Sequence, residues 1–171
     1  MLLSCAETKE IEIQKKVKEA EVDHTIKAID LLKEYTTDEK AAESKYVGKI
    51  VLVEGKVTAL DTLFSKAKAE KTDSSKNSAV ADFIVNWFVD QINDVGVDLE
   101  DKVETKADTS EWTVHANFPT EDFGVITKFP MNGNVKLKCK CNGVSTTKVT
   151  YNEVKTIYWK RIGLHGCIEQ K

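Results

Sequence analysis

The chain has 171 residues, of which 41% are hydrophobic and 31% charged, enough for one core of ordinary size. No apolar run approaches the roughly 20 residues that a helical membrane crossing needs. The net charge is only -3 but unevenly spread, with 17 Lys against 26 acidic residues in 1–134 and 8 Lys plus Arg against 2 Glu in 135–171. The balance alone favours no nucleic-acid role, and one arginine, Arg161, argues against a dedicated phosphate reader, which usually recruits several.

The opening Leu2-Leu3-Ser4-Cys5 resembles the lipobox of bacterial lipoproteins, in which the cysteine carries the lipid. Cys5 is the lipidation candidate, although only four residues precede it and a signal needs a basic and an apolar region ahead of the cut. An ordinary cytosolic terminus is the alternative. Ala6 to Val22 is dense in Lys and Glu and reads as a tether, either a mobile linker or a frayed helix. One domain is expected over 23–171.

Ala28, Leu31, Leu32 and Tyr35 have helical spacing, and Thr37-Asp38-Glu39 reads as a turn and cap before a second helical piece ending near Tyr46. His24 is placed at the start of the first helix. Ile50 to Val53 continues past Gly55 into Val57, the pattern of a strand that bends at its glycine. Lys66 to Asn77, charged and without apolar period, reads as a loop, and Ala79 to Val95 as an amphipathic helix whose stripe holds Val80, Ile84, Trp87, Phe88 and Gln91, although the aromatic, β-branched run Phe83 to Val89 also suits a strand. That helix either packs on the barrel or covers a ligand site. The region 61–111 is read as an insertion.

Trp112 to Phe118 alternates as a half-buried strand, with Trp112, Val114, Ala116 and Phe118 inward and Thr113, His115 and Asn117 outward. Pro119 ends it, and a short helix through Phe129 precedes the Asn132-Gly133 turn. Val135 to Cys141 alternates again, placing Val135, Leu137, Cys139 and Cys141 inward and Lys136, Lys138 and Lys140 outward. The lysine row is a solvated or protected edge, or an anion-attracting stripe. Asn142-Gly143 reads as a turn, Lys148 to Arg161 as an extended or hairpin segment, and Ile162 to Ile168 as the closing strand.

A helix, a long bent strand, further antiparallel strands, a short helix and a closing strand together suggest a mainly β protein. The arrangement expected is an OB-fold, a five-stranded Greek-key barrel with an N-terminal helix and an inserted helix. Ala41 to Val57, with Tyr46-Val-Gly-Lys-Ile-Val-Leu-Val-Glu-Gly-Lys-Val57, resembles the opening of the tRNA-anti-like OB-fold family, small bacterial domains often carried on lipoproteins. Val135 to Gly143 and His165-Gly-Cys-Ile168 resemble that family's later strands. The likeness covers about 23–60 and 112–169 and is weak between. It implies a disulfide between Cys141 and Cys167, with Cys139 a buried free thiol, and an extracytoplasmic address on the bacterial envelope. A cytosolic address would instead favour a metal held by Cys139, Cys141, Cys167 and His165, but a Cys-x-Cys strand lacks the usual second knuckle.

No cofactor is expected, and no catalytic constellation is found: the sequence holds no Gly-x-Ser-x-Gly, Gly-rich phosphate loop or His-Glu-x-x-His. The reading is a non-enzymatic binding or interaction module on a membrane-anchored lipoprotein. Its partner is a protein or small ligand, and the membrane is met only through the lipid. The alternative is a binder of single-stranded nucleic acid or another polyanion. Candidate contact residues are Lys136, Lys138, Lys140, Tyr158, Trp159 and Arg161.

Overall fold

A computed structural model describes residues 5–61, 94–105, 109–151 and 155–171. The loop expected over 66–77 and the helix expected over 79–93 lie outside the described residues. Asp94 and Val95, expected at the end of that helix, begin a strand instead.

The elements are α1 (Cys5–Glu19), β1 (His24–Lys27), α2 (Ala28–Thr37), α3 (Glu39–Tyr46), β2 (Ile50–Asp61), β3 (Asp94–Thr105) and β4 (Ser110–Pro119). A single 3-10 turn (Thr120–Asp122) then leads into α4 (Phe123–Ile126), and β5 (Asn134–Tyr151) and β6 (Lys155–Glu169) complete the chain. The sheet order is β1-β2-β3-β4-β6-β5, and a further pairing of β2 with β5 closes the last five strands into a ring. Within the ring β4 and β6 run parallel, and the other neighbours are antiparallel. A helix stands between β4 and β5. This is the connectivity of an OB-fold barrel. The short β1 lies outside the ring, parallel to the first half of β2.

The helical spacing of Ala28, Leu31, Leu32 and Tyr35 is used as expected: all four are buried on one face of α2. Leu31 and Leu32, taken from water, contribute about 1.5–3 kcal/mol each. Asp38 caps α3 by accepting from the Ala41 N–H at 3.0 Å. Gly55 serves the same packing, because a Cβ there would lie 2.7 Å from the Cβ of Ala28. The bend in β2 is helped by a register shift between Val57 and Ala59. His24 starts β1, not a helix; its ring meets Tyr46 edge-on at 5.2 Å.

The Asn132-Gly133 turn forms, with Asn132 at φ 62° and the Gly133 N–H donating to the Pro130 carbonyl. Asn142-Gly143 does not turn the chain. Gly143, at φ 85°, sits at a register shift where β5 bends and continues.

Two expectations about burial are corrected. The segment read as a linker or frayed helix is α1, packed across the outer side of β4, β5 and β6, with Val17 fully buried and Glu10 5% exposed. Strand β4 is buried on both faces: outward-facing His115 and Asn117 are as hidden as the core residues, because β4 has strands on both sides and α1 against it.

The disulfide is also corrected. It joins Cys139 to Cys167, with Cα atoms 4.3 Å apart, and Cys141 is the free buried cysteine. The residues read as a metal set therefore include two bonded sulfurs. Among the described residues no group of three or more His, Cys, Asp or Glu is placed to hold a metal ion.

Candidate ligand-binding face

The outward side of β3, β4 and β6 carries most of the polar chemistry of the barrel. Register places Asp98 beside His115 and Gly96 beside Asn117 across β3 and β4, and Glu111 beside Trp159, Thr113 beside Arg161 and His115 beside Gly163 across β4 and β6. Gly96 leaves room for the His115 imidazole, since a Cβ there would stand 2.5 Å from its Nε2. His115 Nδ1 lies 2.7 Å from Asp98 Oδ1, which orients the ring along the face.

At one end of this face a depression of about 110 Å3 is lined by Asp98, Lys102, Glu111, Thr113 and the run Trp159, Lys160 and Arg161. Trp159 is 41% exposed, and the Lys102 ammonium stands 5.6 Å from its ring centre. The same ammonium is 3.7 Å from Glu111, so the cation is held between an acid and an aromatic. Lys160, one residue on, points to the other side of β6, where its ammonium covers the buried Trp112 at 4.6 Å and pairs with Glu39 at 2.8 Å.

The residues expected to form a site are not all brought together. Trp159 and Arg161 share the outward face. Tyr158, also exposed, alternates to the opposite side of the strand. Lys136, Lys138 and Lys140 do share one face of β5, opposite Glu54, Leu52 and Ile50 of β2. Lys140, the member of that row nearest in sequence, lies roughly 20 Å along β5 from Thr147, the cross-strand partner of Trp159.

Lys138 is engaged elsewhere: its ammonium donates to the carbonyls of Ala20 at 2.6 Å and Lys18 at 3.3 Å, closing the C-terminal end of α1. Lys136 lines a separate groove of about 510 Å3 with His24, Ile26, Glu34, Tyr46 and Leu52. There the Glu34 carboxylate accepts from Lys45 at 2.8 Å and from the Tyr46 hydroxyl at 3.0 Å. The Lys45 ammonium holds the Glu34 carboxyl below its usual range. Burial raises the Tyr46 hydroxyl, and raises the Tyr35 hydroxyl further, where it faces Cys141 Sγ at 3.7 Å. Burial likewise raises the Cys141 thiol, which suits an inert core residue rather than a nucleophile.

Lys102, Asp98 and Glu10 were missed by sequence reasoning. The first two lay in a region taken for an insertion, and Glu10 lay in the supposed tether. A usable signal for α1 did exist: Glu10, Ile13 and Val17 recur at helical spacing.

Residues 3–155 match the tRNA_anti-like family, most of the chain and including 61–111, where the motifs resemble the family least. The chain belongs to the tRNA_anti-like family. No curated protein and no solved structure matches it. In this member of the family β3 supplies the second barrel strand, and the OB-fold face used for ligands in other barrels corresponds to the outward side of β3 and β4.

Proposed function

We propose that this tRNA_anti-like protein is a non-enzymatic binding module, carried on the bacterial envelope by a lipid on Cys5, that contacts its ligand through the face around Trp159 and Arg161. The observation that carries the reading is an exposed indole fixed on a rigid strand, flanked by Lys102, Thr113 and Arg161, on the barrel side that OB-folds commonly use. A large aromatic with polar neighbours supplies contact area at low entropic cost. The depression is small and of mixed charge, which suits a peptide or protein surface more than an enclosed small molecule.

A second reading, single-stranded nucleic acid, is favoured by one feature, the juxtaposition of an exposed indole with Lys102 and Arg161. Base stacking beside cations is the usual arrangement for such strands. The lysine row adds less than its sequence suggests, because Lys138 is spent on α1.

The deciding experiment titrates the full chain with a labelled single-stranded oligonucleotide at low and at physiological salt while following indole emission, with Trp159→Phe as the control for its source. Affinity that falls steeply with salt establishes the nucleic-acid reading. No binding at low salt removes it. The proteins retained from an envelope extract by wild type and by Trp159→Ala are then compared. Partners kept unchanged by the variant would overturn the assignment of this face.

A further inference from the structure

The far end of the same face is covered by α1, and the contact that holds it is chemically unusual. Glu10 is nine-tenths buried beneath the helix. One carboxylate oxygen accepts from the Gly166 backbone N–H at 2.5 Å, and the other lies 3.2 Å from His165 Nδ1. The tautomer follows from the opposite side of the ring. Asn117 Nδ2 donates to the Leu164 carbonyl at 3.4 Å and lies 3.4 Å from His165 Nε2, so Nε2 accepts and Nδ1 carries the proton toward Glu10. Gly166 is at φ 59°, the left-handed conformation that turns its N–H toward the helix.

We propose that the Gly166 N–H and the His165 Nδ1–H, with Asn117 positioning the ring, form an oxyanion-binding site, and that Glu10 fills it as an internal ligand. Such a pair, one fixed backbone donor and one imidazole donor on a rigid strand, matches a carboxylate or a phosphate oxygen pair. The occupant is detachable. Among the described side chains of α1 only Val17 and Glu10 are buried, and the other fixed points are polar: Gln14 to Asp122 and to the Cys167 carbonyl, and Lys138 to the end of the helix. Of the described apolar side chains of α1, Ile11 and Ile13 are only partly buried, which leaves Val17 as the fully buried one that is uncovered when α1 lifts.

His165 lies four residues along β6 from Arg161, roughly 13 Å. A ligand lying along β6 from Trp159 can therefore end in an oxyanion at Gly166 once Glu10 leaves. This extension rests on the assignment of the Trp159 face, whereas the oxyanion site itself does not. With Glu10 in place an external anion must compete with an attached one, and its apparent affinity is reduced by the small fraction of chains in which α1 is open.

The test uses the full chain, with inorganic phosphate and acetate as separate probes and the Gly166 amide resonance as the readout. In wild type the resonance stays in place through the range where Glu10→Ala saturates, and the variant binds roughly tenfold or more tightly. The gain disappears in the double variant Glu10→Ala/His165→Ala. Phosphate bound more tightly than acetate points to a phosphorylated ligand, and the reverse to a carboxylate. Should Glu10→Ala fail to fold, Glu10→Gln keeps the shape without the charge and shifts affinity in the same direction. A Gly166 amide that ignores both anions in the folded variants, or one that responds equally in wild type, overturns the site. Because Trp159 emission is not the readout, failure here is separable from failure of the binding face.

Discussion

Cys139 is bonded to Cys167, while Cys141, two residues along the same inward row of β5, faces Leu164 instead. The register explains the choice. Lys138 pairs with Ile168 but Lys140 with His165, so β6 carries one extra residue at Gly166-Cys167. That bulge turns Cys167 inward, opposite Cys139. Without it Cys167 would point to the outer face and could bond to neither. Peptide mapping of the unreduced chain is therefore expected to recover the 139–167 pair, and Cys141→Ala is expected to leave it intact. Removing the bond by Cys139→Ala, with the cysteines 28 positions apart in sequence, should cost about 3–4 kcal/mol in denaturant unfolding. Recovery of a 141–167 peptide would show that the bulge is misplaced.

Gly166 has two tasks, and they predict an asymmetry between neighbouring glycines. A Cβ at Gly166 would stand 2.7 Å from the Gln14 backbone nitrogen and 2.7 Å from Ile13, at a left-handed φ. At Gly163 the nearest atom would be 3.5 Å away, an ordinary contact. Gly166→Ala should therefore lose about 1–3 kcal/mol and release α1, seen as rapid amide exchange over 10–19. Gly163→Ala should cost well under half of that. Equal losses would mean that α1 does not approach β6 as described.

Much of the barrel was legible because period and punctuation agree with burial. Val51, Val53 and Val57, the β4 row Trp112 to Phe118, and Leu137 with its cysteines all alternate into the core as their sequence pattern requires. What escaped is what alternation does not encode. The bulge at Gly166 reverses the parity of the residues that follow it, Cys167 among them, and Gly143, next to an asparagine, looks like a turn while serving a bend. The polar Thr113-His115-Asn117 row looks solvated, yet β4 is central and partly covered by α1, so its hydrogen bonds are made to Asp98, His165 and the Leu164 carbonyl. Glu10 was hidden for the same reason: a buried carboxylate is indistinguishable from a solvated one until its donors are located. The candidate site was half legible, since Trp159 and Arg161 were identifiable while Lys102 and the role of Lys138 were not.

Lys138 separates a cap from an anion site. Its ammonium closes the carbonyl end of α1 through two hydrogen bonds. Lys138→Met, which keeps the aliphatic stem, should weaken α1 by about 0.5–1.5 kcal/mol, reported by exchange at Val17 and Lys18, with the barrel strands unchanged. In the oligonucleotide titration the same variant should leave the salt dependence of binding unaltered, whereas Lys102→Met should lower it. A reduced salt slope for Lys138→Met would return the lysine row to the ligand surface.

Glu34 gives the chain a defined acid sensitivity. Its hydrogen bond from Lys45 is the largest influence and lowers its carboxyl below the ordinary value of 4.5, and the Tyr46 hydroxyl donates to the same carboxylate. A group whose folded pKa is depressed stabilises the fold above its unfolded pKa, and that contribution is lost as pH falls through the folded value. The Glu34 contribution is thus fully present at neutral pH, begins to decline as pH approaches 4.5 and is gone below the folded pKa. The Glu34 side chain is 39% exposed, so solvent screens the pair and the size at neutral pH is at most about 1 kcal/mol. Glu34→Gln should therefore unfold at lower urea concentration than wild type at pH 7, and the two curves should converge at acid pH. A difference that persists unchanged below the carboxylate range would assign the loss to packing around Tyr46 and not to charge.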